Sequence, residues 1–255
     1  MNNANRIVKG SWTHIRRLSL LIVLAVVSTA CIEDANAMNA RDYFTSPVEL
    51  ALIDAAGAAD IRKLERLVAQ GADVNARGRD GMTPALWALA HQSKNGLAFL
   101  LEHGADPNKQ LTSDGSSAMS LSAAAADSWY LREIIDHGGN VNLWNPVRCQ
   151  TPIFDAMGAL RDENVRLLIA SHANLNALDK VGFTPAIGAA VQWRFDWVYV
   201  LLQAGADPAM QTPGGATLLT FVRRVPIVPA NPNYIWKLKV VEWLKERGLD
   251  VEHGR

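Results

Sequence analysis

Six histidines and two cysteines are the residues with which this chain could hold a metal or make a nucleophile. Three of the histidines, His103, His137 and His172, recur at nearly equal intervals. A regular series of imidazoles is what a metal ladder or an acid–base relay would use, because imidazole titrates near neutrality and ligates through either ring nitrogen. The interval argues against both uses. Equivalent residues on stacked helical units lie roughly 10 Å apart, whereas a shared ion needs ligand bonds of about 2 Å. A histidine at the end of a helix suits the helix dipole with no chemistry attached. Cys149 has no evident partner base, which a thiol nucleophile needs. The chain has no H-E-x-x-H, C-x-x-C or G-x-S-x-G and no phosphate-binding glycine loop. "DPNKQLTSDGSS", from Asp106, is hydrophilic but lacks the closing glutamate of a calcium loop. The sequence therefore predicts no catalytic residue, no metal site and no cofactor.

The frame that carries these residues is a repeat. "GADVN" begins at Gly71, "GADPN" at Gly104, "GGNVN" at Gly138, "HANLN" at His172, "GADPA" at Gly205 and "GLDVE" at Gly248. The steps between them are 33, 34, 34, 33 and 43 residues. Helix openings keep the same beat: Thr83-Pro84, Ser117-Ala118, Thr151-Pro152, Thr184-Pro185 and Thr217-Leu218. Thr and Ser cap a helix by accepting from a free backbone N–H one turn in, and proline next to the cap loses no intrahelical bond. Small residues follow, as in "ALWALA" and "AIGAAV", and let a first helix lie close to its neighbours. A second helix carries larger apolar residues at i, i+3 and i+4: Leu97, Leu100 and Leu101, then Leu131, Ile134 and Ile135, then Val165, Leu168 and Ile169, then Val198, Leu201 and Leu202. The glycine beyond suits a left-handed C-terminal cap, and Asp and Asn after it suit a turn. "VRRVPIVPANPNYIW" accounts for the 43-residue step as a Pro-rich insertion (223–233) between two helices.

On these residues the chain resembles the ankyrin repeats, whose motif runs roughly D-G-x-T-P-L-H, then V-x-x-L-L-x-x-G-A-D-x-N. "DGMTP" with "LLEHGADPN" and "GFTP" with "VLLQAGADP" match it closely. The resemblance covers residues 47–253 and implies an all-α solenoid of five to six helix-turn-helix units with projecting hairpin loops. The motif's histidine is replaced by Leu86, Ser120, Phe154 or Ile187, so apolar contacts are expected in its place. Cys149 stands where the motif has glycine, which predicts a reshaped hairpin. The first unit starts early, at Ser46-Pro47, and both terminal units are more charged, as solenoid caps should be.

The resemblance also implies that the projecting loops and the exposed face of the first helices bind another protein. The loop positions are Arg79, Asp80 and Met82, then Ser113 and Asp114, then Val147, Arg148 and Gln150, then Lys180, Val181 and Phe183, with Trp144 just after "GGNVN". The first-helix positions are His91, Gln192, Trp193 and Arg194. Trp144 and Phe183 are the expected anchors, although both could instead pack on adjacent loops. Trp87 aligns with a core position. "WRFDWVY" holds Trp193, Phe195, Trp197 and Tyr199, which one helical stripe cannot bury together.

Ahead of the repeats, Arg6, Lys9, Arg16 and Arg17 precede the uncharged run from Leu18 to Ile32. Such a run spans roughly 22 Å as a helix, short of the ~30 Å hydrocarbon core, and has the form of an export signal. Three outcomes stay open: cleavage after "ANA" at Ala37, lipidation at Cys31, or an uncleaved anchor. "RRLSLL" has a faint likeness to a twin-arginine signal. The domains are therefore a signal segment, 1–37, and a repeat domain, 38–255, with a periplasmic location. If the segment is cleaved, the only membrane attachment expected is a lipid on Cys31. From residue 38 the chain keeps 21 basic and 23 acidic residues and Cys149 alone, so no intramolecular disulfide can form and no basic excess attracts nucleic acid.

"DGMTPALWAL", "DSWYLREIIDHGGNVNLWNP" and "VVEWLKERG" resemble a group of exported bacterial ankyrin proteins that act as immunity partners of type VI secretion phospholipase effectors. That likeness implies a non-catalytic protein that blocks an active-site mouth. The alternatives are an envelope factor supporting a periplasmic catalase or haem delivery, for which His91 with Met82 is the one loose ligand pair, or a general scaffold.

Overall fold

The computed structural model describes residues 38–225 and 229–249; the predicted signal segment with Cys31, part of the Pro-rich insertion, and residues 250–255 lie outside them. The described residues hold twelve α-helices and no strand. They run as six pairs: α1 (Pro47–Gly57) with α2 (Ile61–Ala69), α3 (Pro84–Ala90) with α4 (Lys94–Glu102), and α5 (Ala118–Ala124) with α6 (Ser128–Asp136). The remaining pairs are α7 (Pro152–Gly158) with α8 (Asp162–Ala170), α9 (Pro185–Val191) with α10 (Phe195–Gln203), and α11 (Leu218–Arg224) with α12 (Tyr234–Glu246). Each first helix lies against the first helices of neighbouring units, and in the first five units against its own second helix; in the sixth unit α12 lies against α10 instead. This is the stacked solenoid the repeat implies, with six units.

Local chemistry sets each unit. Thr83 and Thr184 accept from the backbone N–H of Leu86 and Ile187 through Oγ1, at 3.2 and 3.3 Å. Leu86 and Ile187 are buried, so apolar contacts do replace the motif's histidine there. In the third unit the replacement is polar instead. Ser117 and Ser120 form a reciprocal capping box, with each backbone N–H bonded to the other's hydroxyl at 2.9 and 3.1 Å. At the other end of each pair, a left-handed residue closes the second helix, and the next N–H returns to a carbonyl five residues back, as Ala105 does to Leu100 and Ala173 to Leu168, both at 2.9 Å. His172 fills that left-handed place at φ 63°, where the other units have glycine.

The alternation of 33- and 34-residue steps has its origin in the hairpins. The hairpin N–H of Gly78, Asp179 and Thr212 bonds the carbonyl four residues on; that of Leu111 and Asn145 bonds the carbonyl five residues on. The two longer hairpins lie within the two 34-residue steps. Cys149 takes the glycine's left-handed conformation itself, at φ 53°, and the N–H to Asn145 oxygen bond at 2.8 Å closes the turn. The hairpin is thus lengthened by one residue, as its neighbour at 111–116 is, rather than remodelled by the cysteine.

Side-chain amides sew the units together. Asn75 donates to the carbonyl of Gly104 and accepts from the N–H of Asp106, both at 2.8 Å. Asn108 grips Gly138 and Asn140 in the same way, at 2.9 and 2.7 Å, and Asn142 grips His172 and Asn174. Asn176 accepts from Asp207 N–H at 2.9 Å. The series stops at the next position, where the motif's asparagine is Ala209. Asn108→Ala removes two bonds across one interface and should lower stability by about 2 kcal/mol. Urea unfolding checks this; a loss under ~0.5 kcal/mol would mean that water replaces the clasp at no cost.

The third unit departs from the rest between its helices. In the first, second, fourth and fifth units the equivalent turn uses a left-handed residue, Ala59, Gln92, Leu160 or Trp193, whereas α5 runs into Ala125 at φ −65°, ψ 148°. Asn164 of the next unit donates to the carbonyls of Ser122, Ala123 and Ala125 at 2.9–3.3 Å, the first of which also accepts from the Ala125 N–H at 3.1 Å.

The core is continuous from Phe44 to Leu244. Leu97, Leu100, Leu131, Ile134, Val165, Leu168, Val198 and Leu201 are all buried, whereas Ile135 and Ile169, the third members of two stripes, are half-buried. At the front, Phe44 is buried and the Tyr43 carbonyl accepts from Arg79 N–H at 2.7 Å, so residues 38–46 stand where a preceding unit's hairpin would. At the back, Lys245 is exposed as a cap residue should be, but Ile235 and Leu238 are exposed beside it.

Candidate protein-binding surface

Five hairpins project along one edge, and equivalent positions on them form columns. The residue just before each hairpin is Arg77, Gln110, Trp144 and Leu178 in the second to fifth units. The residue two places after each hairpin begins is Asp80, Ser113, Val147 and Val181. The columns therefore change from polar to apolar between the third and fourth units. Trp144, Val147, Leu178 and Val181 are 46, 51, 37 and 59% exposed, an unusual share of large apolar side chains for adjacent tips. The Trp144 backbone is held from behind, where Gln110 donates to its carbonyl at 2.9 Å, and Gln110 is held in the same way by Arg77 at 3.0 Å. Little ordering would accompany docking on such an edge, which favours tight binding.

Beneath the Trp144 hairpin lies a buried polar knot. Asp155, on α7, is 7% exposed. Its Oδ1 accepts from Gln150 Nε2 at 2.6 Å and pairs with Arg148 Nη1 at 3.0 Å. Asp155 Oδ2, Arg148 Nε and Nη2, and the Thr151 hydroxyl are buried with no hydrogen-bond partner among the described residues. Burial pushes the Asp155 carboxyl up to about 6, against the opposing pull of Arg148 and Gln150. The pair fastens the hairpin to the first helix at the cost of burying charge.

Several expected contact residues are therefore spoken for. Met82 is 1% exposed, because it points back from the hairpin into the core, so it offers neither a partner contact nor a haem ligand. Arg148 and Gln150 serve Asp155. Asp80 accepts from the hydroxyls of Thr112 and Ser113 on the next hairpin. Asp114 accepts from the N–H and hydroxyl of Ser116 within its own turn. Phe183 is half-buried and meets Phe221 edge-on at 5.4 Å, so it packs on the neighbouring unit instead of anchoring a partner. Arg79 and Lys180 are exposed on the hairpins, as expected.

The first-helix group lies at the far end. Each first helix of seven residues is about 10 Å long, and His91, Gln192, Trp193 and Arg194 follow its C-terminus, away from the hairpins. His91 stacks on Trp87 at 4.4 Å with Nδ1 2.9 Å from the Trp87 carbonyl. Both line an open cleft of about 750 Å³ beside Arg41 and Asp54. Gln192 is exposed and Trp193 is 44% exposed in a left-handed conformation, φ 61°. Arg194 is bound to Asp162 and Asp196 and lies over the Trp197 ring at 3.7 Å. In "WRFDWVY", Phe195 and Trp197 are buried and Trp193 reaches the surface. The histidines also have local roles. His103 stacks on Phe99 at 3.9 Å, and Nδ1 of His103 and of His137 lies 2.7 and 2.9 Å from the carbonyl four residues back. Among the described residues, no three His, Cys, Asp or Glu side chains gather as metal ligands.

The family model for ankyrin repeats (3 copies) matches residues 50–145. Protein PhlB of Serratia liquefaciens is 30% identical over 196 residues, 76% of this chain and 86% of that protein. The chain belongs to the ankyrin-repeat family. An ankyrin repeat domain from Acinetobacter baumannii AYE superposes with TM-score 0.64 at 25% identity, covering 77% of this chain and 97% of that one. A chain of the complex between the predatory endopeptidase Bd0816 of Bdellovibrio bacteriovorus and immunity protein Bd3460 superposes with TM-score 0.57 at 23% identity, covering 70% of this chain and 91% of that one. At that identity the likeness concerns the fold. This ankyrin chain is a protein-binding module on a fold that is typically non-catalytic. Leu178, Leu160 and Val191 were not among the residues singled out from sequence. Aligning the repeats column by column is the signal that finds them.

Proposed function

We propose that the ankyrin chain is exported and neutralises a secreted phospholipase-type effector by covering its active-site mouth. The carrying observation is the run of apolar tips, Trp144, Val147, Leu178 and Val181, on rigid adjacent hairpins. An enzyme that draws acyl chains from a membrane presents apolar surface around its mouth, and an apolar edge is what would cover it. The sequence likeness to immunity partners of phospholipase effectors supports the class of partner. The complex of an endopeptidase with an immunity protein supports the suitability of the fold for such a role. The mechanism is steric and asks no chemistry of the chain. The reading of a haem-delivery factor is weakened by the burial of Met82.

Affinity capture from periplasm, with and without candidate phospholipase-type effectors, tests this. A stable one-to-one complex with loss of lipase activity is the expected result. Recovery of the chain alone, with lipase activity untouched, would overturn the reading.

A further inference from the structure

The solenoid is electrically lopsided. Residues 38–208 carry fourteen basic and nineteen acidic side chains, whereas residues 209–249 carry six basic and two acidic ones. The positive charge thus belongs to the last unit, and it surrounds apolar surface that a terminal cap ordinarily lacks. On α12, Ile235 is 64% and Leu238 is 49% exposed, one helical turn apart on the outer face. Lys239 is exposed beside them and lies 4.2 Å from the Trp236 ring centre. Farther along, Arg247 lies 3.7 Å from the Trp243 ring centre and pairs with Glu246 at 3.5 Å, so its charge is partly offset. Arg224 is exposed at the end of α11. Glu242 and Glu246 share the C-terminal half of the outer face, so the apolar and cationic character is concentrated in the first two turns.

We infer that this outer face of the last unit docks on an anionic phospholipid bilayer. Aliphatic side chains next to half-buried tryptophans and exposed cations are the composition of helices that lie in a membrane interface. The exposed cations add attraction to an anionic surface, and the two aliphatics add a shallow apolar insertion. The charge difference selects an anionic surface over a neutral one and turns the acidic units away from it. The hairpin edge, on a different part of the solenoid, stays open to a protein partner. Contact would therefore be weak and reversible, holding the chain close to the surface on which a lipid-directed enzyme works.

The test is co-sedimentation of the chain from Met38 onward, the span that contains the whole core, with large vesicles of phosphatidylglycerol and phosphatidylethanolamine or of phosphatidylcholine alone. Binding should be at least about tenfold stronger to the anionic vesicles and should fall about tenfold in 0.5 M salt. The double substitution Ile235→Ser and Leu238→Ser should cut it about tenfold more. Its melting temperature should not change, because both side chains are exposed. Equal partition onto both vesicles, or binding untouched by the double substitution, would overturn the inference. So would a dimer formed without vesicles and abolished by that substitution, which would make the face a contact between two copies. None of these outcomes bears on capture of a protein effector, so the two proposals fail separately.

Discussion

Arg148→Ala should destabilise the chain by about 3–5 kcal/mol at pH 7, the usual cost of leaving a buried charge without its partner. The loss should shrink as the solution is acidified. The reason is Asp155, whose folded-state carboxyl titrates near 6 and not near its ordinary 3.8. A carboxyl with a raised folded value holds its proton more tightly in the fold than in the unfolded chain. Its contribution is therefore most favourable below about pH 4, declines as pH rises to about 6, and is flat above that. In the parent chain stability therefore falls as pH rises across that window. Asp155→Asn should remove the decline, seen as the difference between the two proteins' urea-unfolding free energies from pH 4 to 7. In Arg148→Ala the carboxyl loses the cation that pulls it down, so its titration moves higher and acid restores more stability. A cost for Arg148→Ala that is small, or equal at pH 4 and pH 7, would show that solvent already screens the pair.

Trp144→Ala with Val181→Asp should weaken capture of the effector by at least about 2 kcal/mol, or roughly thirtyfold. Trp144 is an aromatic whose backbone is clasped by Gln110, and Val181 is the more exposed of the two large apolar residues on the neighbouring tip. The folded state should be almost unaffected, because neither side chain is in the core. Phe183→Ala is the contrasting substitution. It removes an edge-on contact with Phe221 and should cost stability with little change in intrinsic affinity. If Phe183→Ala abolished binding while the Trp144 and Val181 pair did not, the contact face would have to be moved to the fifth and sixth units.

Much of the fold was legible because the repeat is written in backbone chemistry. Thr83 and Thr184 as caps, the glycines at φ 84–97° such as Gly104 and Gly205, and the stripes of Leu97 and Leu100 each demand one local conformation. Even the unequal steps were visible, although their cause, a five- instead of four-residue hairpin closure, was not. The contact surface was harder to read. Met82 and Trp144 both belong to hairpins, and a linear pattern does not say which side chain turns inward. Arg148 and Gln150 looked like free loop residues because their partner, Asp155, sits in a first-helix stretch where the other units carry Trp87, Leu121, Gly188 and Phe221. A lone carboxylate in that column was the available sign that something had to neutralise it. Ser120 was misread for the opposite reason: its polarity is satisfied within its own turn.

The central claim is that adjacent hairpin tips of the fourth and fifth units hold the protein partner. Amide hydrogen exchange of the ankyrin chain, alone and with the phospholipase-type effector, measures this directly. Slowed exchange concentrated at residues 143–150 and 178–183, with the second helices unchanged, is the result expected. Slowed exchange confined to the inter-helix turns around Gln92 and Trp193, or no slowing anywhere, would contradict it.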